Sequence, residues 1–223
     1  MASITLSTLR DRAVAEADAA DIFETSEIDQ MINDEAAELY ELIVEAYENY
    51  YVTTADLTIT AGNSQVALPD GSPDRVMFKL LDVEDLSESP ALSLPTFEYN
   101  DRNRVGRHSY CIAGDNLLVR PVDRAPGAYR IHYVPEFLPL TSEADTFTAP
   151  NNWELAIVFG VAQRLKESQD QDGSALGKRK ASLTKRIERS SRSRNAGAPR
   201  KARDVKRLRR TDPDWWGDNR EGG

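Results

Sequence analysis

Histidine, cysteine and clustered carboxylates carry most acid–base, nucleophilic and metal chemistry in proteins, and this sequence has few of them. His108 and His132 are its two histidines, and Cys111 is its single cysteine. Both histidines lie in or beside predicted strands, and neither has a ligand spacing such as H-E-x-x-H. A metal or general-base role for the histidines is therefore disfavoured, and Cys111 is expected to serve packing.

One acidic cluster, formed by Asp82, Glu84 and Asp85, offers oxygen ligands of the kind that divalent cations prefer. Together with His108, Asp82 and Glu84 could form a metal-dependent hydrolase site. No EF-hand or similar frame surrounds the cluster, so a solvated strand end is the favoured interpretation. The dinucleotide fingerprint, the phosphate-binding loop and the nucleophile elbow are all missing from the sequence. We therefore predict a protein that is not an enzyme and that has no metal and no cofactor.

The positive charge of the chain is concentrated in one segment. Residues 174–210 contain 15 Lys and Arg but only two acidic residues, Glu188 and Asp204, which gives this segment a net charge of +13. Because the whole chain carries −9, the remainder carries −22. Such segregation indicates an acidic body that repels polyanions and a basic arm that reaches another surface.

Three interpretations of this basic segment compete. It could neutralise nucleic-acid phosphates, it could be a solvated helix face, or it could dock on an acidic protein through arginine–carboxylate pairs. The basic segment contains no aromatic residue, which disfavours stacking on single-stranded bases. Trp215 and Trp216 follow it and could supply an apolar anchor, which favours docking. The candidate partner-binding residues are Arg186, Arg189, Arg192, Arg194, Arg200, Lys201, Arg203, Lys206, Arg207, Arg209, Arg210, Trp215 and Trp216.

Length and composition indicate one globular unit with some flexible sequence. The chain has 223 residues, of which 40% are hydrophobic and 29% charged. Its longest apolar run, Leu155 to Ala162, is far shorter than the roughly 20 residues that cross a bilayer, and the N-terminus does not resemble a signal peptide. We therefore expect no membrane association and assembly inside a cell.

Apolar residues at helical spacing predict four helices. The first covers Thr5 to Ala20, with a buried stripe of Leu6, Leu9, Ala13 and Ala17. The second has the clearest period and covers residues 28–50, with a cap at Thr25-Ser26. The third follows a cap at Asn151 or Asn152, and the fourth is the basic helix, which carries a thin stripe of Leu176, Leu183 and Ile187 and fades near Asn195.

Short alternating runs between the helices predict antiparallel strands. Leu57 and Ile59, the turn at Gly62-Asn63, and the returning Val66 and Leu68 predict a β-hairpin. Residues 76–83 are apolar enough for a central strand, and a short helix is expected after Thr96. Three further strands are predicted at residues 109–113, 117–121 and 128–134.

The predicted fold is α+β. Two N-terminal and two C-terminal helices form a helical bundle frame, a small antiparallel β module is inserted between them, and an extended C-terminal tail follows. The expected divisions are residues 1–52 for the N-terminal helices, 53–137 for the β module, 138–196 for the C-terminal helices and 197–223 for an extended basic arm. The arm is too polar and too uniformly charged to bury a core of its own.

Several segments, taken in order and spacing over about 190 residues, resemble the head-to-tail adaptor (connector, head-completion) proteins of tailed bacteriophages. The matching segments are Leu39-Tyr40-Glu41-Leu42, Tyr50-Tyr51-Val52-Thr53, Ala67-Leu68-Pro69-Asp70, Phe78-Lys79-Leu80, Asp101-Arg102-Asn103-Arg104-Val105, Tyr129-Arg130-Ile131-His132-Tyr133-Val134-Pro135, Leu140-Thr141, Trp153-Glu154, Lys166-Glu167-Ser168, Lys185-Arg186-Ile187-Glu188 and Arg194-Asn195-Ala196-Gly197. The region after Pro199 departs from the pattern.

This resemblance implies a structural virion protein that sits at the neck of the particle and is assembled in the host cytoplasm. Its implied partners are the portal protein, tail or nozzle proteins, and copies of itself in a ring of twelve. Packaged DNA would pass through the channel of the ring without sequence-specific binding, which suits an acidic body. The alternative function is a nucleic-acid-binding accessory protein that uses the basic arm.

Overall fold

The computed structural model describes residues 2–19, 23–47, 49–71 and 75–195, and these form an α+β fold with antiparallel sheets. The helices are α1 (Leu6–Ala17), α2 (Thr25–Ala46), α3 (Leu155–Ser168) and α4 (Ser174–Asn195). The strands are β1 (Ala2–Thr5), β2 (Thr53–Ile59), β3 (Gln65–Ala67), β4 (Met77–Asp85), β5 (Leu92–Ser93), β6 (Ser109–Ala113), β7 (Asn116–Arg120), β8 (Gly127–Pro135) and β9 (Thr146–Ala149).

The four helices pack on one another around α3, which contacts α1, α2 and α4. The predicted stripe of α1, from Leu6 to Ala17, is completely buried and lies against α3 of the same chain. Strand β1 pairs with β9 and so ties the start of α1 to the segment that leads into α3. None of the helices in the described ranges is long and apolar enough to cross a membrane.

Both predicted helix caps are wrong. Helix α2 begins at Thr25 itself, and the preceding Glu24 makes no capping bond through its side chain. Asn151 and Asn152 have left-handed backbones, with φ of 55° and 59°, and α3 begins at Leu155. A capping residue needs an extended backbone to aim its side chain at the first turn, and these asparagines do not have one. Asn is instead suited to the left-handed turn that it forms here.

The predicted hairpin is also wrong, although its turn is present. The Asn63 amide donates to the Thr60 carbonyl at 3.1 Å, and Gly62 has a φ of 86°. The strands on either side of the turn then separate, because β2 pairs along its whole length with β8 while β3 pairs with β7. Pairing with β8 covers all seven residues of β2 and places its inward side chains, Ala55 and Ile59, in the β core.

Apart from the β1-β9 pair, the strands form two sheets that share one apolar core. The larger has the order β2-β8-β4-β5, and the smaller has the order β3-β7-β6. Strand β4 is an inner strand, which confirms the central strand predicted at residues 76–83 and extends it to Asp85. Strand β6 has the predicted bounds, and β7 and β8 differ from prediction by one residue at each end.

Two short elements differ from the sequence-based expectation. Thr96 forms an isolated bridge with Tyr110, and a single turn of 3-10 helix begins only at Tyr99. Strand β9 was not predicted from the sequence, and it is stabilised by pairing with β1. Such short strands depend on a distant partner, which local sequence does not specify.

Hydrogen bonds join the helices to the strands and to the segment between β8 and β9. The Tyr40 hydroxyl of α2 donates to the Pro135 carbonyl at 2.5 Å. The Asn33 side chain makes two bonds to the backbone of Leu140, accepting from its amide at 2.7 Å and donating to its carbonyl at 3.0 Å. These contacts hold the residues after β8 against α2.

Gly160 of α3 allows close packing against α2, because a Cβ atom at this position would clash with the Glu35 carboxylate. Replacing Gly160 by Ala should lower the free energy of unfolding by about 1–3 kcal/mol, as overpacking does elsewhere. Urea unfolding would measure this decrease in the free energy of unfolding. Gly106→Ala is the matched control, since nothing lies within 4 Å of a Cβ there. Equal stability of the two variants would contradict the tight fit at Gly160.

Candidate partner-binding surface

Helix α4 lies on the body by one apolar edge. Leu176 and Ile187 are buried, and Leu183 packs against the same helical core. These are the three residues of the predicted stripe, and their spacing places them on one side of the helix. The opposite side carries Lys178, Lys185 and Arg189.

A buried carboxylate holds α4 in place. Glu35 of α2 is only 3% exposed, and its two oxygens contact Arg164 Nη2 of α3 at 3.0 Å and Lys180 Nζ of α4 at 2.5 Å. Lys180 also contacts Glu38 at 2.9 Å. This set of three residues, Glu35, Arg164 and Lys180, is called the Glu35 clamp below. It links three helices through one charge.

The charge state of Lys180 is set by its neighbours. Burial lowers the pKa of Lys180, but hydrogen bonds and charge attraction from Glu35 and Glu38 outweigh burial, so its pKa lies above the ordinary value. Lys180 is therefore an ammonium ion at neutral pH, as the clamp requires.

Three further contacts hold the flanks of α4. Arg179 contacts Glu16 of α1 at 2.5 Å, and its guanidinium lies 5.6 Å from the centre of the Phe159 ring. Nearer the end of α4, the Tyr47 hydroxyl donates to Ser190 Oγ at 2.7 Å. Arg179 and Lys180 are therefore both paired with carboxylates of the body, although the Arg179 side chain remains 60% exposed.

Other basic residues of α4 point away from the body. Lys178, Lys185, Arg186 and Arg189 are exposed, and none forms a salt bridge with another residue of the described ranges. Spacings of seven and eleven residues bring Lys178, Lys185 and Arg189 to one side of the helix. We call these four exposed residues the α4 basic surface.

Of the predicted partner-binding residues, Arg186 and Arg189 thus lie on the α4 basic surface, and Arg192 and Arg194 belong to the last turns of α4. That any of the four contacts a partner stays a prediction. The remaining candidates lie outside the described residues: Arg200, Lys201, Arg203, Lys206, Arg207, Arg209, Arg210, Trp215 and Trp216.

Sequence analysis missed the Glu35 clamp, although one signal for it was present. Glu35 falls in the apolar stripe of α2, beside Ala36. A carboxylate on a buried helix face needs a cation to offset its desolvation. Its partners, Arg164 and Lys180, are more than 120 residues away in sequence, so spacing alone does not reveal them.

The residues with catalytic potential do not form one site. His108 Nδ1 lies 3.3 Å from Asp85, whereas His132 Nε2 lies 3.2 Å from Glu84. Adjacent strand residues point to opposite faces, so Glu84 and Asp85 are directed apart. Within the described ranges, no three His, Cys, Asp or Glu side chains are grouped as a metal site requires.

Nearby groups are occupied in structural contacts. The Asp82 carboxylate accepts a hydrogen bond from Ser93 Oγ at 2.6 Å and one from the amide of Val83 at 2.9 Å. Cys111 is buried, and burial raises the pKa of its thiol, which disfavours the reactive thiolate. The structure therefore does not bring Asp82, Glu84 and His108 together as the hydrolase hypothesis requires.

The Glu35 clamp makes a stability prediction. Lys180→Met should lower the free energy of unfolding by about 1–3 kcal/mol, because Glu35 keeps a buried charge with one partner fewer. Lys185→Met, on the exposed side of the same helix, is the control and should change stability by less than about 0.5 kcal/mol. Urea unfolding at neutral pH measures both.

The contact between Lys180 and Glu35 also predicts how the stability of the protein depends on pH. The folded pKa of Lys180 is raised, so its contribution is complete below its unfolded pKa of about 10.4 and is lost as pH rises through the folded pKa. The stability difference between Lys180→Met and the unmodified protein should therefore be constant near neutral pH and shrink in strong alkali. A difference that grows with pH would contradict the clamp.

Comparison with known proteins agrees with the resemblance noted from the sequence. The family model described as SU10 adaptor protein matches residues 4–203, which is most of the chain, and a search of curated proteins finds no match. The family is one of structural proteins, and it implies association with portal and tail proteins in the virion neck. The chain therefore belongs to the SU10 adaptor protein family, a family of phage head-to-tail adaptors.

Proposed function

We propose that this protein is a non-enzymatic adaptor that forms a twelve-fold ring under the portal, joins the portal to the tail and leaves a channel for DNA. The observation that carries the proposal is the family match over residues 4–203. The ring, its stoichiometry and the channel are proposals that go beyond that match.

The distribution of charge supports a channel role. The chain outside the basic segment carries −22, and like charge repels the phosphates of DNA at the surface of the body. DNA could therefore slide past without being held. We propose that packaged DNA makes no sequence-specific contact with the ring.

The arrangement of the helices and strands supports a division of each subunit into three parts. We propose that residues 1–52 and 138–196 form the rigid frame, that residues 53–137 form an inserted β module, and that residues 197–223 form an extended arm. Contacts of α3 with α1, α2 and α4 support the frame, because they unite helices from both ends of the described chain.

The α4 basic surface supports docking on an acidic partner. Arg186 and Arg189 are exposed and have no salt bridge with the described residues, so both guanidinium groups are available for bidentate pairing with carboxylates. We propose that they bind the portal together with the arginines and lysines of the arm, while Trp215 and Trp216 anchor the arm by burying ring surface.

The alternative, a nucleic-acid-binding accessory protein, predicts a different result. The free protein would then bind DNA tightly, binding would weaken steeply with added salt, and truncation after Gly197 would abolish it. An adaptor of the proposed kind binds DNA weakly with or without residues 198–223. A filter-binding assay at two salt concentrations separates the two functions.

Assembly is the first prediction of the proposed function. Purified protein, alone or mixed with portal, should give twelve-fold rings in negative-stain images, because adaptor subunits close on one another under the portal. Class averages give the symmetry. A protein that stays monomeric and never joins portal would refute the proposal.

Charge reversal tests the α4 basic surface. Arg186→Glu combined with Arg189→Glu should weaken binding to portal by about tenfold or more, because each reversed charge would face an acidic surface. The matched control is Arg104→Glu combined with Arg107→Glu, which makes the same charge change at two exposed residues outside α4. Surface plasmon resonance measures binding, and unchanged melting temperatures show that both variants fold. Equal affinity of the two variants would exclude α4 from the interface.

A further inference from the structure

An open groove lies between α2, the segment after β8 and strand β9. Its volume is about 560 Å³, which is within the range of pockets that hold small ligands or large side chains. Its principal lining residues are Tyr40, Tyr51, Arg75, Phe137, Leu138 and Phe147.

Four aromatic rings line the groove, and the hydroxyl groups of its two tyrosines donate to other parts of the chain. The rings of Tyr40 and Tyr51 stack with centroids 4.4 Å apart, and Phe137 lies 5.8 Å from Tyr40. Both tyrosine hydroxyls are used internally: Tyr40 donates to the Pro135 carbonyl and Tyr51 to the Thr148 carbonyl. Tyr40 and Phe147 are themselves buried, so the ring surface that remains for an occupant comes from the half-buried Tyr51 and Phe137, and this surface suits another aromatic side chain.

Two residues at the edge of the groove narrow the choice of occupant. Leu138 is 58% exposed and is the most exposed of the large apolar side chains in the described ranges. Arg75 donates to the Glu136 carbonyl and forms no salt bridge with a described residue, so its charge is available to an acidic group. An occupant with aromatic side chains next to carboxylates would cover Leu138 and would also pair with Arg75.

One other lining residue disfavours a carboxylate beside it. Asp145 lines the groove, and its carboxylate accepts hydrogen bonds from the amides of Ser142 and Thr141, which lower its pKa and keep it charged. Acidic groups of an occupant should therefore lie beside Arg75 rather than beside Asp145.

We propose that the groove receives residues 212–216 of the same chain, with Trp215 and Trp216 on the aromatic rings and Asp212 or Asp214 toward Arg75. These residues, Asp-Pro-Asp-Trp-Trp, lie in the 28 residues that follow the last described position. They combine the two features that the groove calls for, adjacent aromatic rings and nearby carboxylates.

The length of the intervening chain permits this docking. Ser190 of α4 contacts Tyr47, four residues before the groove residue Tyr51, so the last turns of α4 lie near the chain that leads into the groove. Between Asn195 and Asp212 lie 16 residues, and a chain of that length spans about 20–25 Å on average as a random coil and more than twice that when extended. The segment can therefore reach the groove without displacing α4.

This inference rests on the proposed function only in treating residues 197–223 as an arm. With both ends held, at α4 and at the groove, residues 200–210 would form a basic loop beside the α4 basic surface. Restricting the loop would reduce the entropy lost when its arginines dock on portal.

Tryptophan fluorescence of the full chain tests the proposal without portal. Trp153 is buried in the helical core, so subtracting the spectrum of a Trp215→Ala, Trp216→Ala variant isolates the emission of the terminal pair. That emission should be blue-shifted and several-fold less sensitive to acrylamide than free tryptophan. A red-shifted, fully quenchable pair would overturn the proposal.

Matched surface variants locate the docking site. Leu138→Asp should expose the terminal pair to acrylamide, whereas Leu92→Asp, at a residue that is 54% exposed but outside the groove, should not. Unchanged protection in Leu138→Asp would show that the tryptophans pack elsewhere. Protection that is lost on dilution of the unmodified protein would assign the occupant to a second copy and overturn docking within one chain.

A charge exchange tests the role of Arg75. Arg75→Glu should increase acrylamide quenching of the pair, and adding Asp212→Arg and Asp214→Arg should restore protection. If the variant with all three substitutions is not protected from acrylamide, Arg75 does not contact the docked segment. Because portal is absent from these measurements, a negative result leaves the portal-binding experiment unaffected, and the reverse also holds.

Discussion

The arrangement of the helices depends on the charge of one buried carboxylate. Glu35 is desolvated on α2, and an unpaired charge in such a position is strongly unfavourable. Its compensation comes from Arg164 on α3 and Lys180 on α4, while Gly160 provides the space that lets α3 approach. Helices from both ends of the described chain are thereby fixed to one another.

This constraint also decides which side of α4 faces outward. Lys180 must reach inward to Glu35, and Ile187 must be buried, so residues half a turn away are directed to solvent. Arg186 and Arg189 are exposed for that reason. A basic surface on an otherwise acidic body follows from satisfying a buried charge, and it agrees with a protein whose family joins other proteins in the virion.

Several elements could be predicted because their determinants are local. The apolar stripe of α1 and the thin stripe of α4 follow helical spacing, and both are buried as expected. The hairpin could not be predicted correctly. Gly62-Asn63 does form a turn, but the strand from Thr53 to Ile59 buries its apolar side by pairing with β8, nearly 70 residues later. Local turn chemistry fixes a change of direction without fixing the partner.

The sequence by itself determined the α+β class, most helix faces, the segregation of charge and, through the order of its motifs, the family. All of these depend on residue type and short-range period. Only the tertiary structure decided which basic residues are occupied: Arg179 and Lys180 pair with carboxylates of α1 and α2, whereas Lys185 and Arg189 do not. That choice depends on distances across the core, because a salt bridge requires atoms from distant parts of the chain to meet within about 4 Å.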